Sequence, residues 1–184
     1  MKLSHFLLGP LLLLVLALSP LGYSADADEE DWQVPVTVGK NGWMIYTNAR
    51  FGFALPVPPA MKAQRPPDNG DGMEFNSLDG KVKLIGYGSF NIDGIGDVEA
   101  RWNSALEEPN RTITYKRKTE GWYVVSGVTK EGVGFYERYT ANSKYCAGWS
   151  IAYPQAEEAK YAKWVERIAK GYDPRLGKGD DTVQ

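Results

Sequence analysis

Short runs of aromatic and aliphatic residues, each ended by glycine, proline, asparagine or aspartate, fill the middle of the chain. This pattern is typical of β-strands that turn tightly back on themselves. At the front, residues 42–46 and 51–55 are expected to pair as a hairpin across residues 47–50. Proline cannot donate to a sheet ladder, so the prolines that follow are expected to end the hairpin. They are Pro56, Pro58 and Pro59.

The alternation resumes behind the prolines. Residues 72–76 and 81–89 flank Asp79-Gly80, which is a strong signal for a second hairpin. Three further strands with short turns between them are expected to form an antiparallel meander. They cover residues 111–118, 122–130 and 133–142. The last strand, residues 145–153, alternates large with small side chains, so one face can fill a core and the other can admit a closely packed neighbour.

Two segments have the repeat of an amphipathic helix. The first follows Asp97, a good N-cap, and ends at Pro109. The second is expected to begin at Pro154 and to end near Gly171. Their inward positions are Val98, Trp102, Ala105 and Leu106 in the first, and Tyr161, Val165, Ile168 and Tyr172 in the second. The order of strands, helix, strands and helix predicts an α+β fold with a single twisted antiparallel sheet and helices packed on it.

Residues 1–24 have the basic start, apolar run and small-residue end of a secretory signal peptide. Small residues allow cleavage after Ser24 or as late as Ala27. The apolar run is shorter than the about 20 residues that a membrane span needs. We therefore expect a periplasmic or secreted protein without stable membrane insertion after cleavage. An uncleaved membrane anchor is the less favoured alternative.

The rest of the chain divides into three parts by composition. Residues 25–40 form an acidic, flexible lead-in, in which residues 32–38 can add a short edge strand. Residues 41–172 make up the single α+β domain. Residues 173–184 are polar and contain glycine, so a disordered tail is expected there.

Histidine and cysteine are almost absent, which excludes several kinds of site. The one histidine, His5, lies in the signal, and the one cysteine is Cys146. Mechanisms that need Ser-His-Asp or Cys-His, and zinc sites built from His or clustered Cys, are therefore excluded in the mature chain, and no cofactor is expected. Cys146 is expected to be a small buried filler. A net charge of −2 gives no reason to expect nucleic acid as a partner.

Two groups of charged residues are candidates for a binding site. The first is a glycine-rich loop with the oxygen-bearing residues Asp68, Asn69, Asp71 and Glu74. It lacks the spacing of a calcium loop, so a structural turn is expected and no metal. The second is the neighbouring pair Glu137 and Arg138, one place to look for a carboxylate-based hydrolase. Neighbours in a strand point to opposite faces, which favours ion pairs with adjacent strands instead.

The tryptophan content exceeds what a core of this size requires. The six residues are Trp32, Trp43, Trp102, Trp122, Trp149 and Trp164. Tryptophan is enriched at binding hot spots, so some of the surplus can form a surface patch. Large aromatic residues also stabilise a domain that has no disulfide, and the sequence leaves both interpretations open.

Several of these segments together resemble the PsbP/Mog1-type fold, in particular its small exported bacterial members. They are Tyr46-Thr-Asn-Ala-Arg50-Phe-Gly-Phe, Asn69-Gly-Asp-Gly72 with Phe75, Asp79-Gly80, Trp122-Tyr-Val-Val-Ser-Gly127, Phe135-Tyr-Glu-Arg138 and the helix after Tyr153-Pro154. The resemblance implies the fold described above and a binding, docking or accessory role. Metal or cofactor residues of the photosynthetic members have no counterpart, because the mature chain lacks histidine.

The leading hypothesis is a non-catalytic exported protein that binds another exported or envelope protein, for example as an inhibitor or immunity partner of an exported enzyme. The rival hypothesis is a carboxylate-based hydrolase of cell-wall sugar. Two carboxylates about 5 to 9.5 Å apart in a cleft would favour the hydrolase. An exposed apolar patch would favour the binding protein.

Overall fold

A computed structural model of the protein describes residues 34–180. The predicted signal, both cleavage positions and residues 181–184 lie outside this range. Within it, no helix is long and apolar enough to cross a membrane.

The described residues form two antiparallel sheets and two α-helices. The strands are β1 Val36–Val38, β2 Met44–Thr47, β3 Ala54–Val57, β4 Met61–Ala63, β5 Gly72–Ser77, β6 Lys83–Phe90, β7 Arg111–Lys118, β8 Trp122–Thr129, β9 Val133–Ala141 and β10 Tyr145–Pro154. The helices are α1 Val98–Glu107 and α2 Glu158–Gly171. Strands β1, β2 and β3 form the front sheet, and the main sheet has the order β4-β5-β6-β10-β9-β8-β7.

The predicted α+β class with helices on an antiparallel sheet is confirmed, but the expectation of a single sheet is wrong. The front strands lie over one face of the main sheet instead of extending its edge. Glycines of β6 make this close approach possible: a Cβ atom on Gly86 would lie 2.8 Å from Leu55 and 3.0 Å from Phe53. On Gly88 it would lie 2.6 Å from Phe51.

The alternation of β10 separates two cores. Its large residues, such as Trp149 and Tyr153, face the front sheet and α2. Its small residues face the other side, where Cys146 joins the core that packs against α1. Cys146 is buried, as predicted, with its Sγ 3.0 Å from the Ser89 Oγ. The sequence left open which face of the sheet each helix covers. The size of the side chains on the two faces of β10 accounts for the observed arrangement.

Two prolines lie inside strands that were expected to end before them. Pro56 lies inside β3, where it pairs with Ile45. The missing N–H is tolerated because β3 is an edge strand. Pro154 is the last residue of β10 and pairs with Val133, so α2 begins only at Glu158, after a 3-10 turn at Gln155–Glu157. The expected helix start at Pro154 is therefore wrong.

The described part of the C-terminal tail is held by the front hairpin. The Ala54 N–H donates to the Asp173 carbonyl at 2.8 Å, and the Asp173 N–H donates back at 3.0 Å. Further along, the Asp180 N–H donates to the Ala49 carbonyl at 2.8 Å. A Cβ atom on Gly179 would lie 2.3 Å from the Arg50 carbonyl oxygen. The prediction of disorder is thus wrong for residues 173–180. Backbone hydrogen bonds to the front hairpin order this segment, although few of its side chains are buried.

We expect a chain that ends at Tyr172 to be less stable than a chain that ends at Asp180. The loss of the backbone hydrogen bonds to β3 and the preceding turn should lower the free energy of unfolding by about 1–3 kcal/mol, and the melting temperature by roughly 2–10 °C. Thermal unfolding followed by circular dichroism measures this difference. Equal melting temperatures for the two chains would show that the pairing with residues 173–180 adds nothing.

Candidate functional site

The loop at residues 68–71 is fixed mainly by contacts within the front of the domain. The Asn69 Nδ2 donates to Asp71 Oδ2 at 2.8 Å, and the buried Asn48 donates its Nδ2–H to the Gly70 carbonyl at 2.9 Å. Gly70 has a φ of +64°, the left-handed conformation that a tight turn needs. Asp68 is exposed beside this turn. The geometry is that of a turn between β4 and β5.

Glu74 does not join the loop carboxylates. Its Oε1 lies 2.9 Å from the Lys83 ammonium and accepts a hydrogen bond from Asn76 at 3.0 Å. Partial desolvation raises the pKa of Glu74, but the hydrogen bonds from Lys83 and Asn76 outweigh it, so the pKa lies below its usual value. In the part of the chain that the structure covers, no group of three or more His, Cys, Asp and Glu residues could hold a metal ion.

The second candidate pair, Glu137 and Arg138, is divided between the two faces of β9, as strand geometry requires. Glu137 lies on the α1 side and Arg138 on the side of the front sheet and α2. The structure therefore yields two separate sites, one around each residue.

The site around Glu137 is a pocket of about 260 Å³ between α1 and the main sheet, called here the α1 pocket. Its lining consists of Tyr87, Arg101, Ser104, Ala105, Glu108, Arg111, Tyr123 and Glu137. The Tyr123 hydroxyl donates to Glu137 Oε1 at 2.6 Å, and the Arg111 Nη1 donates to Glu137 Oε2 at 3.1 Å. Each carboxylate oxygen of Glu137 thus has a donor of its own.

Burial and the negative charge of Glu137 keep the phenols of the α1 pocket protonated. Both effects, with burial the larger, raise the pKa of Tyr123 well above its ordinary value. The same two causes raise the pKa of Tyr87. These hydroxyls can therefore donate hydrogen bonds but are poorly suited to act as bases near neutral pH. The second carboxylate of the pocket, Glu108, is exposed at the end of α1.

The site around Arg138, called here the Trp122 face, consists of Arg117 of β7, Trp122 and Val124 of β8, and Arg138 and Thr140 of β9. The guanidinium carbon of Arg138 lies 5.1 Å from the Trp122 ring centre, and that of Arg117 lies 5.4 Å from it. Arg138 also lies 5.7 Å from the Tyr172 ring centre. These distances are within the range of cation–π attraction.

The two arginines of the Trp122 face have no carboxylate partner among residues 34–180. Arg111, by contrast, is paired with Glu137, and Arg175 with Asp173. The Trp122 face therefore presents two positive charges that the described part of the domain does not neutralise.

The tryptophans divide between core and surface. Trp149 is completely buried and Trp43 nearly so, whereas Trp122 is only half-buried between the two arginines. Trp32 lies outside the described residues. Arg138 is a predicted site residue, but its neighbours Arg117 and Trp122 were not predicted to join it. The signal was available in the strand alternation, because Trp122 and Val124 fall on one face of β8 and Val124 pairs with both Arg117 and Arg138.

The ion pair in the α1 pocket generates a prediction about stability. Changing Arg111 to Met leaves a largely buried carboxylate without its cation, which should lower the free energy of unfolding by about 1–3 kcal/mol. Changing Glu137 to Met as well removes the stranded charge, so the double variant should lose less stability than the sum of the two single variants. Urea unfolding of the four proteins measures this coupling. If the stability lost by the double variant equals the sum of the two single losses, the Arg111–Glu137 ion pair is contradicted.

Comparison with solved structures identifies the fold. The domain is similar to the solution structure of cyanobacterial PsbP (CyanoP) from Synechocystis sp. PCC 6803, with a TM-score of 0.51. The match covers 74% of this chain and 94% of that chain at 10% sequence identity. No protein-family model and no curated protein matches the sequence. At this identity the similarity concerns the fold alone, and the chain has a PsbP-like fold, as the resemblance implied.

Proposed function

We propose that this protein is a non-catalytic accessory protein, periplasmic or secreted, that binds another exported or envelope protein through its Trp122 face. The observation that carries the proposal is the pair of guanidinium groups beside one half-buried indole, without a carboxylate partner in the described part of the chain. A PsbP-like fold is compatible with such a role but does not specify it.

The composition of the Trp122 face supports a protein partner. Tryptophan, tyrosine and arginine dominate binding hot spots, and all three meet here. Tyr115 of β7, which pairs with Ser126 of β8, extends the same face and is 51% exposed. The sheet also provides a rigid support, since neighbouring strands fix the spacing of the side chains. Inhibition of an exported enzyme, or immunity to one, is a specific form that this binding can take.

The rival function, a carboxylate-based hydrolase, would have to use Glu137 and Glu108 in the α1 pocket. Both oxygens of Glu137 accept hydrogen bonds, from Tyr123 and Arg111. Glu137 is thus held in an ion pair with Arg111, while the other carboxylate, Glu108, is exposed at the end of α1, and we propose the binding protein over the enzyme.

Partner binding is tested with a truncation on the Trp122 face. We expect Trp122→Ala to weaken capture of the partner from an envelope extract tenfold or more, because removal of a central hot-spot aromatic typically costs about 2 kcal/mol or more. Quantitative mass spectrometry of the captured proteins gives the ratio to wild type.

The matched control removes an exposed apolar side chain elsewhere. Leu78 is 77% exposed in the turn between β5 and β6, so Leu78→Ser should leave capture unchanged. Thermal unfolding of both variants verifies that each is folded. If the Leu78→Ser protein fails to capture the partner while the Trp122→Ala protein still captures it, the binding surface lies elsewhere and the proposal is overturned.

Export is tested on the N-terminus. If the signal is cleaved as the sequence indicates, protein from the periplasm or the medium should begin at Ala25 or Asp28. N-terminal sequencing of that material decides between these two positions. Protein that keeps Met1 and stays in the membrane fraction would contradict the proposed location.

A further inference from the structure

Four buried polar atoms without a hydrogen-bond partner belong to neighbouring residues at the edge of the Trp122 face. They are Arg138 Nε, Thr140 Oγ1, Trp149 Nε1 and Tyr172 OH. Arg138 and Thr140 stand two residues apart on one face of β9, and Trp149 is the cross-strand neighbour of Arg138. The Tyr172 ring lies 6.3 Å from that of Trp149. Because Trp149 is 0% and Tyr172 7% exposed, water cannot satisfy these groups freely.

The chemistry of the four atoms indicates which kind of hydrogen-bond partner would satisfy them. Arginine Nε–H and indole N–H groups only donate hydrogen bonds, and the two hydroxyls can donate as well. A buried donor without an acceptor is unfavourable, and buried polar groups in native proteins are nearly always satisfied. An oxygen acceptor beside Arg138 would satisfy its Nε–H.

Charge points to an acidic acceptor. Strand β7 contains Arg111, Lys116, Arg117 and Lys118 and no acidic residue. Two of these cations have partners inside the domain, since Lys118 pairs with Glu99 and Arg111 with Glu137. Arg117 and Arg138 remain without a carboxylate in the described part of the chain. An acidic group there would gain a charge-assisted hydrogen bond from each guanidinium.

A protein partner supplies the acidic acceptor as the planar carboxylate of aspartate or glutamate. The Arg138 guanidinium carbon lies 5.1 Å from the Trp122 ring centre and 5.7 Å from the Tyr172 ring centre, and the side chain is only partly buried, so an edge of the guanidinium can meet a carboxylate at the surface. A carboxylate fits that edge in the plane, with two parallel hydrogen bonds.

We infer that the Trp122 face binds aspartate or glutamate side chains of its protein partner, one carboxylate at Arg138 and a second at Arg117. This inference rests on the proposed function and names the chemistry of the partner. Arg117 and Arg138 both pair with Val124 from the strands on either side, which places their Cα atoms two strand spacings apart, about 10 Å. Because both guanidinium carbons lie within 5.4 Å of the Trp122 ring centre, the partner segment carries at least two acidic residues no more than about 10 Å apart.

A synthetic peptide tests the inference without knowledge of the partner. The probe is acetyl-Glu-Gly-Ser-Glu-Gly-Ser-Glu-amide, whose neighbouring glutamates lie on one side about 9 Å apart when the chain takes the three-residue turn of a polyproline II helix. The control peptide has glutamine at the three glutamate positions. With a fluorescent label on each, anisotropy titration of the full domain at constant ionic strength should show at least tenfold tighter binding of the glutamate peptide.

Variants identify the groups that bind. Arg138→Gln should weaken the glutamate peptide about tenfold, and Arg138→Lys should also weaken it, because lysine keeps the charge but loses the planar fork. Arg117→Gln on the exposed edge strand should weaken it severalfold and carries little risk to folding. Arg175→Gln, whose arginine is already paired with Asp173, is the matched control and should bind as wild type does.

The outcomes separate this inference from the proposed function. Equal binding of the two peptides, or no effect of Arg117→Gln and Arg138→Gln, would overturn the carboxylate assignment. So would stronger competition by inorganic phosphate than by acetate at equal ionic strength. If the peptide fails to bind while Trp122→Ala still loses the partner, the proposed function stands and the acidic contact is wrong.

Discussion

The central strand β10 determines how this domain is built, because its two faces have side chains of very different size. Trp149 and its large neighbours need a deep core, which the front sheet and α2 supply. Cys146 and Gly148 leave little depth on the other face, where Tyr87 lies close to Gly148 and α1 covers the neighbouring strands. A larger side chain at Gly148 would collide with Tyr87, since a Cβ atom there would lie 2.7 Å from its hydroxyl. The layers on both faces follow from this one alternation.

The same arrangement leaves the Trp122 face at the end of the sheet. Helix α2 lies against β10 and β3, whereas α1 lies against β8 and β9 on the opposite face. Trp122 and Arg138 consequently stay half-buried beside the edge strand β7. A long edge strand is prone to unwanted pairing, and the lysines and arginines of β7 protect it. The charge that protects the edge also contributes to the positive surface that we propose as the binding site.

The sequence predicted the local features of this fold better than its long-range contacts. Strand β7 has the predicted bounds, and the Asp79-Gly80 hairpin joins β5 to β6, because alternation and turn residues are local signals. The separation of Glu137 from Arg138 was also predictable from the two-residue repeat of a strand. The partners of Glu137 were not, because Arg111 lies 26 positions away and reaches it only after β7, β8 and β9 have paired. The order in residues 173–180 depends likewise on a contact with β3 that no local sequence pattern indicates.

Amide hydrogen exchange of the domain with and without its captured partner tests the location of the binding surface most directly. We predict slower exchange in β7, β8 and β9 around Arg117, Trp122 and Arg138 when the partner is bound. Exchange in α1 and in the loop at residues 68–71 should stay unchanged. Protection confined to α1 or to that loop, with no change around Trp122, would contradict the account.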